Sequence, residues 1–341
     1  MPRKNVTDSS PEVLRRANLK AIHLGPKPFT TALKYYQAFQ EVNLSKKTLL
    51  EDMKRLRRFA TFFEDLYARG GCKTADPRGI DEPAILEFLV MMKNKELKSS
   101  TQSTDVKVLN RMLNLFGNDV IVKMKKNPMY RFPKEPRDLP ISALEPEELK
   151  LVFDTTYNLR GWSGQAFRGY LALSFATASR PNETLMTLVE DLDIQNRLFY
   201  IRHPKGEETW GEPQWVNIIR EDMIPYLEEL MRNRERMLIE YGLSSQYLFV
   251  NPGTGEPYSD KAMRGLKAKV QEMSGIHFMI KDMRSSFASL TVNNHLDRLN
   301  AVSEQLRHST PETTRKYYAR INRRKAVRIG LQDTWKESEI K

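Results

Sequence analysis

The most informative stretch of the chain is Lys281–Tyr318, KDMRSSFASLTVNNHLDRLNAVSEQLRHSTPETTRKYY. It sets Lys281 and Arg284 three residues apart, then His308, and then Tyr317 nine residues beyond that histidine. Residues at i and i+3 share a helix face, so the two cations can aim at one small anion. A phosphate diester is the obvious such anion. A histidine adds a hydrogen-bond donor, and a tyrosine hydroxyl brought to the same anion can attack it and hold the product as a covalent ester. These residue types outline a site for cutting a nucleic-acid strand.

The same stretch resembles the C-terminal signature of the tyrosine recombinases, the integrase and Xer-type family. Lys281 to Ala288 resembles the family's H-x-x-R-H-x-F-A block, Leu306-Arg307-His308-Ser309 its L-G-H-S, and Thr313, Thr314 and Tyr317 its T-T-x-x-Y. Two positions depart: Lys281 stands where most members have His, and Arg307 where they have Gly. A lysine at the first position also resembles some archaeal integrases and the poxvirus type IB topoisomerases. The resemblance implies that Tyr317 is the nucleophile. Its neighbour Tyr318 would sit roughly 100° away on a helix, so only one of the two can face Arg284, and the spacing from His308 selects Tyr317.

Further upstream, Ala176-Thr177-Ala178-Ser179-Arg180-Pro181-Asn182-Glu183 resembles the family's A-T-G-x-R-x-x-E, a catalytic arginine with a supporting glutamate. Proline at 181 pushes Arg180 out of helical geometry and opens a helix behind it, and a helix N-terminus suits phosphate. Two β-prone runs, Leu198–Ile201 and Trp215–Ile219, bracket a loop holding Lys205-Gly206. They resemble the family's β-hairpin, whose lysine reaches the leaving oxygen. Leu139-Pro140-Ile141 with Glu145 to Glu148 resembles the entry into the catalytic domain. Helices are predicted from Pro146 to about Thr155 and from about Gln165 to Ala178, the second so apolar that it should be buried. A further basic helix carries Lys261, Arg264, Lys267 and Lys269.

The N-terminal third reads as helical. Ser45 or Thr48 can cap a helix whose apolar positions Leu49, Met53, Leu56, Phe63 and Leu66 follow the 3.6 period. Its other face carries Lys46, Lys47, Lys54, Arg55, Arg57 and Arg58. Two more helices are predicted, one from near Asp81 burying Ile85, Phe88, Leu89 and Met92, one after Ser99 burying Val106, Leu109, Met112, Leu113 and Phe116. The run Leu44–Phe59 resembles the opening helix of a recombinase core-binding domain. Between Val122 and Leu139, Lys123, Lys125, Lys126, Arg131, Lys134 and Arg137 alternate with Pro128, Pro133 and Pro136, a composition that suits an extended connector. Residues 1–27 read as a basic mobile arm with at most one short helix.

Composition agrees with a polyanionic partner. Lys and Arg number 55 against 43 Asp and Glu, a formal charge of +12, and counterion release favours binding of such a chain to nucleic acid. The single Cys72 excludes an internal disulfide and supplies no metal cluster. No apolar run approaches the ~20 residues of a membrane span and no signal peptide is apparent, so a cytoplasmic protein is expected. There is no P-loop and no acidic cluster of the two-metal nuclease kind. No metal or other cofactor is therefore expected.

The expected fold is mainly α: a helical core-binding domain, then a mixed α/β catalytic domain, mostly helical with a small antiparallel sheet. The expected boundaries are an arm at 1–27, core-binding domain at 28–120, linker at 121–138, catalytic domain at 139–320 and tail at 321–341. The resemblance implies a site-specific recombinase or integrase that cuts and rejoins double-stranded DNA at a specific target through a 3′-phosphotyrosine. In that account Arg180, Arg284, His308 and Lys281 stabilise the pentavalent phosphorus, Lys205 protonates the leaving oxygen and Glu183 supports Arg180. Lys46, Lys47, Lys54, Arg55, Arg58, Lys123, Lys125, Lys126 and Arg131 are expected to touch DNA, with a tetramer forming on DNA from a chain that is a monomer when free. Two other readings use the same residues differently: a type IB topoisomerase-like relaxase, which Lys281 favours, and a non-catalytic DNA-binding regulator.

Overall fold

The protein is described from a computed structural model. The described residues are 10–134, 142–207, 211–294, 298–308 and 310–318, with the side chains of 293–294 and 315–318 excepted. The chain divides into two compact units, 1–139 and 140–341.

The first unit is helical among its described residues: α1 (Pro11–Arg16), α2 (Pro28–Gln40), α3 (Lys46–Ala68), α4 (Glu82–Asn94), α5 (Ser99–Leu115) and α6 (Val120–Lys126). Ser45 caps α3 by accepting from the Thr48 amide, and Asp81 caps α4 by accepting from the Ala84 amide, which satisfies amides that have no partner inside the helix. The predicted apolar stripes are buried except for Leu89, which is half-buried, and stacked or edge-on Phe29, Phe59, Phe63 and Phe88 form the centre of this core with half-buried Phe62 packed against them.

Two expectations for this unit need correction. The basic arm is anchored rather than mobile from α1 onward. Leu14 and Leu24 are buried in the core, and the Arg78 guanidinium donates to the carbonyls of Lys20 and Ile22 at 3.0 Å each. The expected extended connector begins with a helix: in α6, Ile121 and Met124 lie one turn apart and are buried. Burying two apolar side chains outweighs the solubility of Lys123, Lys125 and Lys126, which stay on the exposed face.

The second unit is built on α8 (Gly161–Thr177), which packs against α7 (Pro146–Thr156), α10 (Ile224–Tyr241), α11 (Asp260–Ser274) and α12 (Asp282–Asn294). Nearly every residue of α8 is buried, as its largely apolar sequence predicts, and the one charged residue, Arg168, pairs with Glu229. Gly169 permits the close approach of α10, since a Cβ there would lie 2.7 Å from Leu230. A three-stranded antiparallel sheet, β1 (Leu192–Asp193), β2 (Leu198–Ile201) and β3 (Gln214–Asn217), has the order β1-β2-β3 and pairs Phe199 with Val216. The hairpin was legible in the sequence; the two-residue β1 was not. The described residues of the unit also include the short α-helices α9 (Pro181–Leu185), α13 (Leu299–Gln305) and α14 (Pro311–Tyr318). Among the described residues, no helix is long and apolar enough to cross a membrane.

Candidate active site

The site forms where α8 ends. A helix C-terminus leaves carbonyls without partners, and here three different elements supply them. The Ile219 amide donates to Ala176 O at 2.9 Å, Gln305 Nε2 to Thr177 O at 3.0 Å, and Arg284 Nη1 to Ala178 O at 2.7 Å. Gln305 also donates to Asn217 O at 2.8 Å. The end of α8 thus gathers the segment that follows β3, α12 and α13 around one point. Ala178 stops the helix in the left-handed region, at φ 54°, a conformation usually left to glycine. Buried hydroxyls hold the turn that follows: Ser179 Oγ lies 2.9 Å from Thr177 Oγ1 and 2.6 Å from Thr184 Oγ1.

Arg180 comes next, with the extended backbone that Pro181 imposes (φ −77°, ψ 151°), as the N-cap of α9. Glu183, buried in the first turn of α9, closes back on it. One carboxylate oxygen accepts from Arg180 Nη1 and the other from the Arg180 amide, each at 2.8 Å. Glu183 also accepts from the Lys205 amide at 3.3 Å and from Arg307 Nη2 at 2.5 Å. One carboxylate therefore ties together α9, the hairpin loop and the turn after α13. Burial alone would raise its pKa. The Arg307 charge and hydrogen bond, helped by Arg180, instead hold it below the usual carboxylate range.

Arg284 is buried on α12 and spans the interior of the site. Besides Ala178 O it donates through Nη2 to Leu306 O at 2.5 Å and to His308 Nε2 at 3.2 Å. His308 Nδ1 lies 2.8 Å from Thr314 Oγ1, on α14. Burial, then repulsion by Arg284, Arg180 and Arg307, push the imidazole pKa down to about 4, so the ring is neutral at pH 7. With Nε2 accepting from Arg284, the ring proton sits on Nδ1 and goes to Thr314. The donor expected of His308 is thus spent on Thr314.

The structure brings Arg180, Glu183, Arg284 and His308 together as two hydrogen-bonded groups, Arg180–Glu183–Arg307 with the Lys205 amide and Arg284–His308–Thr314, which meet through the backbone of residues 306–308. The Lys205 and Lys281 side chains are exposed. Lys281 immediately precedes α12, and its carbonyl accepts from the Ser285 amide, which closes the first turn around Lys281 and Arg284. Tyr317 and Tyr318 fall in the last turn of α14; their side chains, and the tail at 321–341, lie outside the described residues. Sequence reasoning missed the contacts of Gln305 and Thr314. It also noted Arg307 only as a departure. The glycine-like position of Arg307 in L-R-H-S was the available signal, because a side chain placed there must be accommodated at positive φ.

In the first unit, Lys46, Lys47, Lys54, Arg58, Lys123, Lys125, Lys126 and Arg131 are exposed. Arg55 and Arg58 are engaged by the buried Asp105, at 3.2 and 3.8 Å.

The phage integrase family model matches residues 143–324, more than half of the chain and all of the site just described. The chain therefore belongs to the phage integrase family. These are tyrosine site-specific recombinases, which cleave and rejoin DNA. None of the curated proteins compared with the sequence gives a match. Among solved structures, a post-cleavage complex of the XerH site-specific recombinase bound to palindromic difH substrate is similar at 19% identity. It covers 87% of this chain and 84% of its own, with a TM-score of 0.63. The Tn1549 transposon integrase in complex with circular intermediate DNA is similar at 15% identity, covering 84% and 94%, with a TM-score of 0.60. A lambda integrase dimer bound to a COC′ core site gives 15%, 83% and 95%, with a TM-score of 0.56. At these identities the likeness is one of fold.

Proposed function

We propose that this recombinase cuts one DNA strand by attack of the Tyr317 hydroxyl on a scissile phosphate at a specific target site, forming a 3′-phosphotyrosyl bond. A 5′-hydroxyl from a partner strand then reverses the step, so that bond energy is conserved and no ATP is needed. The observation that carries the reading is the link from Arg284 through His308 to Thr314. It places the guanidinium network beside α14, three residues before Tyr317, about 4.5 Å along the helix axis.

Charge supports the same reading. Arg180, Arg284 and Arg307 stand against one carboxylate with a neutral His308, which leaves two positive charges in a largely buried network. A phosphodiester carries one negative charge and its pentavalent transition state two, so the site matches the charge that develops. A preorganised donor in such a setting contributes ~3 kcal/mol to the transition state. Lys205, exposed on its loop with its amide anchored to Glu183, would deliver a proton to the leaving 5′-oxygen. Lys281 adds a further cation at the start of α12. The basic faces of α3 and α6, with Arg131, would grip the DNA backbone, and a tetramer on DNA, working in the cytoplasm, is the assembly this reaction requires for exchange between two duplexes.

The test is a reaction of the purified protein in EDTA with two supercoiled plasmids, one carrying DNA from the flanks of its own coding sequence and one without. Recombinant products confined to the first plasmid are expected. Equal relaxation of both, with no strand exchange, would instead favour the relaxase reading, which Lys281 suggests.

A further inference from the structure

Arg307 occupies an unfavourable backbone position and a buried electrostatic one at once. Its φ is 54°, in the left-handed region that disfavours any residue with a Cβ. Its side chain is only 7% exposed and forms an ion pair with Glu183, itself 2% exposed. Arg180 pairs with the other oxygen of the same carboxylate, and its side chain is 24% exposed. Of the two guanidiniums on Glu183, the more open one is thus the one that can meet a ligand, and the other is enclosed. Burial lowers the pKa of Arg307, yet an arginine starts so high that it stays charged.

A buried carboxylate with a single guanidinium would consume that guanidinium's charge. With Arg180 alone, Glu183 would cancel the very cation that the phosphate needs. We propose that Arg307 is a positioning residue for strand cleavage: it acts as the counter-ion of Glu183 and so leaves the charge of Arg180 available to the scissile phosphate. The inference rests on the cleavage reading given above. It also accounts for Glu183 remaining ionised, which keeps the Arg180 and Lys205 amides anchored to it. Arg307 Nε is buried and has no hydrogen-bond partner among the described residues, and in the competing arrangement Arg307 serves the phosphate directly. The two differ in whether the effect of Arg307 runs through Glu183.

The experiment is a double-mutant cycle on the full chain: wild type, Arg307→Gly, Arg307→Lys, Glu183→Gln and Glu183→Gln/Arg307→Gly. Glycine suits the left-handed backbone, so the first variant removes the guanidinium without adding strain. The probes are nicked duplexes tiling the DNA that flanks the protein's own coding sequence. The readouts are the single-turnover rate of covalent adduct formation at saturating DNA, and duplex affinity measured separately. Arg307→Gly is expected to slow adduct formation about 10- to 100-fold, as removal of an outer partner does in other preorganised sites, with affinity nearly unchanged and partial recovery in Arg307→Lys. In the Glu183→Gln background, where there is no charge to balance, removing Arg307 is expected to cost less than about threefold. Equal losses in both backgrounds, or no loss in Arg307→Gly, would overturn the inference. Should Arg307→Gly fail to fold, the comparison of the double variant with Glu183→Gln decides. An adduct absent from wild type on every duplex would instead sink the cleavage reading, and the inference with it.

Discussion

Arg284 Nη2 lies 3.2 Å from His308 Nε2, and since a guanidinium has no lone pair to offer, the imidazole must be the acceptor. The histidine is therefore neutral, with its proton on Nδ1 facing Thr314. Burial and then the neighbouring guanidiniums keep it so, and an anion bound at Arg180 would offset part of that repulsion.

The first prediction concerns this titration. In the free protein the His308 ring should remain neutral down to about pH 4, well below an ordinary histidine at about 6.5, and sulfate or phosphate should raise that value. The stability linkage has a definite sign. The folded-state pKa is depressed, so the contribution is complete above the unfolded value near 6.5 and is lost as pH falls towards 4. Glu183, also depressed, loses its contribution in the acid range too. Ring-nitrogen NMR of His308 across pH 3.5 to 8 checks the first statement; a midpoint near 6.5 in the free protein would contradict it.

Arg284 holds the fold of the site together, whatever it does for the phosphate. Arg284→Lys keeps the charge but cannot donate to Ala178 O, Leu306 O and His308 together, leaving buried acceptors unpaired. A loss of about 2–4 kcal/mol is expected on unfolding by urea. Cleavage should fall even in the fraction that remains folded. A variant as stable as wild type would show that these carbonyls find other partners.

The basic residues of α3 should separate into two classes. Lys46→Ala and Lys47→Ala should each reduce the slope of log K against log salt for DNA by about 1, with little change in stability. Arg55 instead forms an ion pair with buried Asp105 at 3.2 Å, so Arg55→Ala should destabilise the protein by about 1–3 kcal/mol, because it removes a counter-charge from an enclosed carboxylate. Salt-dependent binding isotherms and urea unfolding distinguish the classes. Identical behaviour of all three variants would argue against the division.

Lys205 is testable by changing the leaving group. Lys205→Ala should slow cleavage about 10²- to 10⁴-fold on ordinary DNA, the usual range for losing a general acid. On a 5′-bridging phosphorothiolate, whose sulfur departs without protonation, the variant should approach wild type. An equal deficit on both substrates would assign the proton to another group.

Much of this was legible in the sequence because the motifs coincide with local physics. Pro181 dictates the extended backbone of Arg180, Ser45 and Asp81 announce helices α3 and α4, and the apolar run around Leu171 predicts a central helix. What the sequence hid was pairing across long separations. Nothing in the chain shows that Gln305 meets Thr177 and Asn217, or that Glu183 serves two arginines 127 positions apart. The basic stretch at 120–126 misled because lysines dominate its composition, while Ile121 and Met124, one helical turn apart, determine its structure. Ala178 was read simply as part of a motif, although the left-handed turn it adopts is what releases Arg180 from the end of α8.

On the proposed mechanism Tyr317 becomes covalently joined to DNA. Nicked suicide duplexes from the flanks of the coding sequence, incubated in EDTA with wild type, Tyr317→Phe and Tyr318→Phe, should yield an SDS-stable adduct in wild type and Tyr318→Phe only. An adduct that survives in Tyr317→Phe and disappears in Tyr318→Phe would contradict the assignment.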